Sequence, residues 1–299
     1  PDGTTVAFTA ATETLNLEEL PFDAEAGRAL GPPRELTPGN VQVGFLDSSP
    51  DGKAVVFSAN YGAGSHLWRV DPPAAPMELT RASGESELYP AWSPDGREIA
   101  FSRWSTGPAE ASPAFLWIMN ADGTTPRRVT ETTGPAAWMP DGKAMLVPRG
   151  DQLLRLDLAT GTMTPVPGAN GRMAFLLDRS GRWLLFLAPT DPLSLEVVAA
   201  SGGTPRVVVD AATEAFHPFF SPSGRWLYIQ RNHKNLFRIP GPAMEWRKTA
   251  PEKVTEFAGV DLYIEEPMIS RDGTKLFYTR GRMTGDIVIL RLGKPVTGS

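Results

Sequence analysis

The 299-residue sequence has no cysteine. This rules out disulfides, thiolate chemistry and cysteine-held zinc, and a chain of this length with 41% hydrophobic residues can bury a core without such cross-links. Histidine is nearly as scarce, at three residues. Positive charge is not in excess: 29 Lys and Arg stand against 34 Asp and Glu, and no dense basic run compensates locally. Such a surface does not draw phosphate backbones, so no nucleic-acid partner is expected. No apolar run is long enough to cross a bilayer, and the first residues lack the charged, apolar and small-residue sections of a secretory signal. We therefore expect a soluble segment that does not itself insert into a membrane. Nowhere does a helical period persist. The chain enters at Pro1, directly in a turn, which reads as one domain over 1–299 cut from a larger protein.

What the sequence does have is one short word, repeated. Copies read PDGTTVAFTA from Pro1, SPDGKAVVFSA from Ser49, SPDGREIAFSR from Ser93 and MPDGKAMLVPR from Met139. Looser copies follow as DRSGRWLLFLA from Asp178, SPSGRWLYIQR from Ser221 and SRDGTKLFYTR from Ser270. Their glycines, Gly3, Gly52, Gly96, Gly142, Gly181, Gly224 and Gly273, are spaced by 49, 44, 46, 39, 43 and 49 residues. That period matches one blade of a β-propeller. Proline presets φ for the turn, the Asp or Ser side chain bonds nearby backbone, and glycine takes the position with φ > 0. The flanks, such as Ala54-Val55-Val56-Phe57 and Leu227-Tyr228-Ile229, are β-branched and aromatic, as in buried strands.

Each word is thus a corner between a first and a second strand, and later segments such as Leu116–Met119 and Pro126–Thr130 supply a third and a fourth. Across seven copies this predicts an all-β propeller of about seven four-stranded antiparallel blades, with a six-bladed ring as the alternative. The first copy lacks its first strand and the last copy its fourth. We expect closure to pair the two ends of the chain, since an open ring exposes strand edges.

The words SPDGKAVVFSA and AWSPDGREIAFSR, followed by LWIMNADG and RRVT, resemble the WD-like Pro-Asp-Gly repeats of TolB-type propellers over nearly the whole chain. The final third, from HPFFSPSGRWLYIQRNHKNLFRIP to ISRDGTKLFYTRGRM, resembles more narrowly the carboxy-terminal propellers of bacterial receptor-type serine/threonine kinases. The first resemblance implies the fold. The second implies a sensing domain in a bacterial envelope or signalling protein, with an extracytoplasmic location. The sequence departs from the pattern at Glu18, where such repeats often carry an aromatic, and at the three looser corners.

In this architecture all corners share one face, and the loops that lead into the first strands share the other. Candidate ligand-binding residues on that loop face are Glu87, Tyr89, Trp104, Arg172, His217, His233 and Glu265, a mixture of carboxylates, imidazoles, a guanidinium and aromatics. The competing reading packs Tyr89 and Phe216 at blade edges and leaves the charges solvated. Glu266 follows Glu265 directly, and strict strand alternation lets at most one of the two face the channel. No nucleophile elbow, His-Glu-x-x-His, EF-hand or phosphate loop occurs, so no catalytic residue, cofactor or metal is assigned.

The leading expectation is a non-catalytic propeller that binds a protein, a peptide or a small envelope ligand. The alternatives are a gating propeller of a prolyl-oligopeptidase-like hydrolase and a catalytic propeller with a channel site.

Overall fold

A computed structural model describes residues 5–39, 41–60, 64–81, 83–106, 113–170, 173–188, 194–209, 215–241, 250–257 and 262–291. No helix occurs among them. The chain opens with β1 (Thr5–Asp23) and two short strands, β2 (Arg28–Ala29) and β3 (Arg34–Glu35). Five successive meanders follow. The first is β4 (Gln42–Ser48), β5 (Val55–Asn60), β6 (His66–Val70) and β7 (Met77–Glu78). Next come β8 (Glu85–Trp92), β9 (Glu98–Ser105), β10 (Ala114–Asn120) and β11 (Arg127–Thr132), then β12 (Ala137–Trp138), β13 (Ala144–Arg149), β14 (Gln152–Asp157) and β15 (Met163–Pro165). After them run β16 (Met173–Leu177), β17 (Trp183–Leu187), β18 (Leu195–Ala199) and β19 (Arg206–Val209), and β20 (Phe216–Phe220), β21 (Trp226–Arg231), β22 (Asn235–Pro240) and β23 (Glu252–Lys253). The chain closes with β24 (Leu262–Ile269) and β25 (Lys275–Arg291).

Four of these meanders, β8–β11 through β20–β23, are discrete four-stranded antiparallel sheets in a propeller-like arrangement. The remaining strands form one nine-stranded sheet, ordered β24-β25-β1-β4-β5-β6-β7 with β2 and β3 paired to β1. Discrete four-stranded sheets thus number four, not the seven of the sequence reading nor its alternative of six. The difference arises at the ends of the chain. By the pattern of the repeat, the strand after the first word and the segment NLEELPFD (16–23) would be a second and a third strand of a first blade, yet Thr5–Asp23 runs as the single strand β1. It pairs antiparallel with β25 without interruption from Thr5↔Arg291 to Pro21↔Lys275. The last copy of the word does form the corner between β24 and β25, but neither β1 nor β25 folds back on itself. The β4–β7 meander joins this closure through a single parallel bridge, Leu15↔Gln42.

The corners obey the chemistry of the word. At the second copy the Ser49 hydroxyl donates to Asp51 at 2.6 Å and accepts from the Ala54 amide at 2.9 Å, while the Gly52 amide donates to the Ser49 carbonyl at 2.9 Å. Ser93 and Asp95 repeat this arrangement, as do Ser270 and Asp272. In the looser copy at Asp178 the two polar roles are exchanged. Asp178 accepts from the Trp183 amide at 2.7 Å, and Ser180 donates its hydroxyl to Asp178.

Among the described residues, five buried apolar clusters fill the seams between neighbouring sheets, and a sixth lies within the nine-stranded sheet where β1 and β25 face β4–β6. The second strand of each meander feeds two of them, because its side chains alternate between its faces. Ile99 and Phe101 pack toward β5, and Ala100 packs toward β13. Leu184 and Phe186 pack toward β13, and Leu185 toward β21. Tyr228 and Tyr278 share one seam, and Phe277 faces the next with Val55 and Phe57. This is why these strands read as unbroken apolar runs.

Gly96 has φ +74°, and a Cβ there would meet the Pro50 ring at 3.3 Å. Gly96→Val should therefore cost roughly 1–3 kcal/mol, the scale of strain at a backbone position of this kind. Urea unfolding reads the difference, and an unchanged midpoint would refute the turn assignment.

Candidate functional site

The first strand of each meander lines the axis, and most of these strands are irregular. Their ladders with the second strand shift register between Val43 and Leu46, Leu88 and Ala91, Phe216 and Phe219, and Glu265 and Met268. Three of these bulges contain a residue followed by proline: Tyr89-Pro90, His217-Pro218 and Glu266-Pro267. Tyr89, His217 and Glu266 have φ of 57°, 42° and 49°. Positive φ is costly for a residue with a Cβ, so three such residues at equivalent places mark a built feature. Proline has no amide hydrogen to give to the ladder, and the bulge takes up the missing bond.

All three line one cavity of about 480 Å³ on the axis. Phe45, Leu46, Asp47, Pro135, Leu187, Pro218, Pro267 and Met268 complete much of its wall. The rings of Phe45 and Tyr89 pack at 4.2 Å between centroids. His217 Nε2 lies 2.9 Å from Glu265 and its Nδ1 lies 3.9 Å from Glu266. His233 Nδ1 lies 2.5 Å from the other oxygen of Glu265. His233 stands in the tight turn between β21 and β22, a three-residue loop between the paired Arg231 and Asn235 in which Asn232 and His233 both have positive φ. Its carbonyl accepts the Ile264 amide at 2.8 Å, which docks this turn on β24, and its ring stacks on Phe216 at 5.1 Å.

Burial would lower the His217 imidazole, but the hydrogen bond it donates to Glu265 and the charges of Glu266 and Glu265 outweigh it and raise the pKa. Burial likewise favours a neutral Glu265, and hydrogen bonds from His217 and His233 hold it below its usual value instead. Burial raises Glu266, with His217 opposing and Glu265 adding. Tyr89 is raised by burial and then by Glu266.

The opposite end of the cavity is different. Asp47 at its foot accepts the Trp92 amide at 2.7 Å, and burial raises its carboxyl despite Arg271. Arg271, in the last corner, reaches across to the Trp92 carbonyl at 2.7 Å and to Asp47 at 3.4 Å. Arg179, in the corner before β17, reaches the carbonyls of Ile269 and Ser270, each at 3.2 Å. Burial and then the charge of Arg271 bring the Arg179 guanidinium down to about 10, against the pull of Asp47 and Asp272. Two arginines thus bridge the axis on the corner side.

Of the residues singled out from sequence, Tyr89, His217, His233 and Glu265 come together here. Glu87 does not. It is fully buried, and its carboxylate is taken up by Arg103 at 2.5 Å, by the Thr80 hydroxyl and by His66 at 3.4 Å. Trp104 is half-buried on β9 opposite Ser86, away from the cavity wall. Arg172 lies outside the described residues. Of the adjacent pair, Glu266 lines the cavity and Glu265 does not, as alternation allows; the sequence reading singled out Glu265, which reaches the site through its bond to His217. Sequence reasoning also missed Phe45 and Asp47. A signal for Glu266 was present in the recurring x-Pro-x-x-Ser of YPAWS, HPFFS and EPMIS, which ends at the corner serine. Among the described residues no group of three or more His, Asp and Glu side chains is arranged to hold a metal ion, and no helix is long and apolar enough to cross a membrane.

Solved structures share this architecture. A putative TolB from Agrobacterium tumefaciens matches with a TM-score of 0.64 at 18% identity, over 91% of this chain and 99% of its own. The fold is a β-propeller similar to that of TolB. TolB from Acinetobacter baumannii matches with a TM-score of 0.58 at 14% identity, over 91% of this chain, which spans 66% of that protein. An oligogalacturonate lyase from Vibrio parahaemolyticus matches with a TM-score of 0.53 at 15% identity, over 89% of this chain and 77% of its own. In sequence, 151 residues are 28% identical to an uncharacterized peptidase, YuxL, of Bacillus subtilis, covering 48% of this chain but only 21% of that relative. No family model matches. The narrower likeness to kinase propellers is not among these findings.

The His217–Glu265 pair has a pH signature. A raised His217 contributes stability that is complete below its usual 6.5 and is lost as pH rises through the folded value. A lowered Glu265 contributes stability that is present above its usual 4.5 and is lost as pH falls through the folded value. The pair is thus strongest between about 4.5 and 6.5. In NMR titrations the His217 midpoint should lie above 6.5, and Glu265→Gln should bring it down. A midpoint that Glu265→Gln leaves in place would refute the pairing.

Proposed function

We propose that this chain is a non-catalytic binding or sensing propeller of a bacterial envelope or signalling protein, which receives a protein or peptide at the loop-face mouth of its axial cavity. One observation carries this reading: the cavity has strained polar side chains at the loop-face end, while Arg179 and Arg271 bridge the axis on the corner side. A rigid cup with one accessible mouth and a few convergent polar groups in an apolar wall is the usual form of a ligand site. An extracytoplasmic location belongs to the same proposal. We also read the nine-stranded sheet as two blades that meet at the Leu15↔Gln42 bridge, which would make a six-bladed ring with six seams.

A second reading draws on the partial likeness to a peptidase: the propeller would gate a hydrolase domain elsewhere in the same protein. In both readings the chemistry lies outside this chain. Peptidase, esterase and pectate-lyase assays of the purified chain, with and without divalent metals, should give no turnover. Turnover abolished by Glu265→Ala would move the assignment to a catalytic propeller.

The binding face is tested with a partner captured from bacterial envelope extract. Alanine at His217, His233 or Tyr89 should weaken that complex at least tenfold by calorimetry, and alanine at the exposed corner residues Lys53 and Arg97 should leave it within twofold. The reverse pattern would put the binding face on the corner side.

A further inference from the structure

Glu266 is the group at the mouth that the fold leaves unsatisfied. Its nearest charged partner among the described residues is His217 Nδ1 at 3.9 Å, too long for a hydrogen bond, and that imidazole is already engaged through Nε2 by Glu265. The Glu266 side chain is only 23% exposed. A carboxylate held this far from water without a strong partner is costly, and the backbone around it is strained as well, with φ +49° before Pro267. Packing of the blade does not call for an acid here, since the equivalent place in β8 carries Tyr89 and that in β20 carries His217.

The surroundings define what would satisfy it. Two carboxylates, Glu265 and Glu266, face one shared imidazole on the axis, with His233 outside it, so an axial ligand meets negative charge at the mouth. The Phe45 and Tyr89 rings stand in the same wall and can face a cation. Pro90, Pro218, Pro267, Leu187 and Met268 supply an apolar lining for an alkyl stem. Asp47 lies deeper, next to Arg271, so a cation is held near the mouth rather than at the foot.

We infer that this cup takes the cationic side chain, lysine or arginine, of a partner polypeptide. The stem lies along the prolines and Met268, and the charged head sits between the Glu266 carboxylate and the Phe45–Tyr89 pair. Binding returns to Glu266 the charge partner that the fold withholds. This inference rests on the proposed loop-face mouth and gives it a chemistry.

The test uses the full 299-residue chain and three blocked tripeptides, acetyl-Gly-Xaa-Gly-amide, with lysine, norleucine or glutamate in the middle, followed through the His217 resonances. The lysine peptide should bind in the millimolar range, at least tenfold more tightly than the other two. Glu266→Gln should weaken it at least tenfold. Thermal melting checks the variant. Should Glu266→Gln not fold, Tyr89→Leu probes the aromatic half and should weaken the lysine peptide about threefold. Norleucine or glutamate binding as tightly as lysine would overturn the cation assignment while leaving the mouth as the binding face. If no peptide moves the His217 resonances, the inference and the proposed mouth fall together.

Discussion

Everything in this molecule depends on the second strand of each meander serving two seams at once. Residues of one parity, such as Phe101, close the seam behind, and the intervening Ala100 closes the seam ahead. A sheet so used has no solvent face along its middle strands, so no single meander can bury its apolar residues alone. Seam formation in turn fixes where the first strands stand, and therefore how wide the axial cavity is and which side chains meet across it. The polar site at the mouth is positioned by apolar packing some distance away from it.

Within that frame the first strands are the place where regular pairing is given up. The bulges at Tyr89, His217 and Glu266 cost ladder bonds and backbone strain, and they fall where side chains of different meanders come together. The result is an axis with unlike ends. Carboxylates and imidazoles stand at one end, and guanidiniums bound to backbone carbonyls stand at the other. An arginine that donates to carbonyls serves as a structural tie more than as a ligand for an anion; Arg179 ties the β16–β19 sheet to β24, and Arg271 ties the last corner to β8.

The corner word was legible because its chemistry is local. Ser49, Asp51 and Gly52 satisfy one another within six residues, and any sequence carrying that pattern announces the turn. The number of sheets was not legible in the same way. Whether Thr5–Asp23 folds back as a hairpin or runs straight is decided by β25, more than 250 residues away, and no property of the segment itself reports it. The site divides along the same line. Tyr89, His217, His233 and Glu265 could be found from their place before and after the corners. Glu87 has the same placement, yet the neighbouring Arg103, Thr80 and His66 convert it into a buried internal partner. Alternation allowed one of Glu265 and Glu266 to line the cavity but did not tell which, because the bulge before Pro267 sets the phase of the strand.

The ladder between β1 and β25 also sets a schedule for the ring. During synthesis β1 is made long before its partner β25, so until β25 appears it is an unpaired edge beside incomplete seams. A contact of such sequence separation is slow to form, while each meander can pair locally as it appears. Ring closure is then the late, entropically expensive event, and the long register from Thr5 to Pro21 makes the closed state hard to leave by fraying. The pairing of Thr5 with Arg291 would also let a short peptide join these two residues and new termini open at the exposed Ser201, giving a circular permutant in which closure no longer comes last.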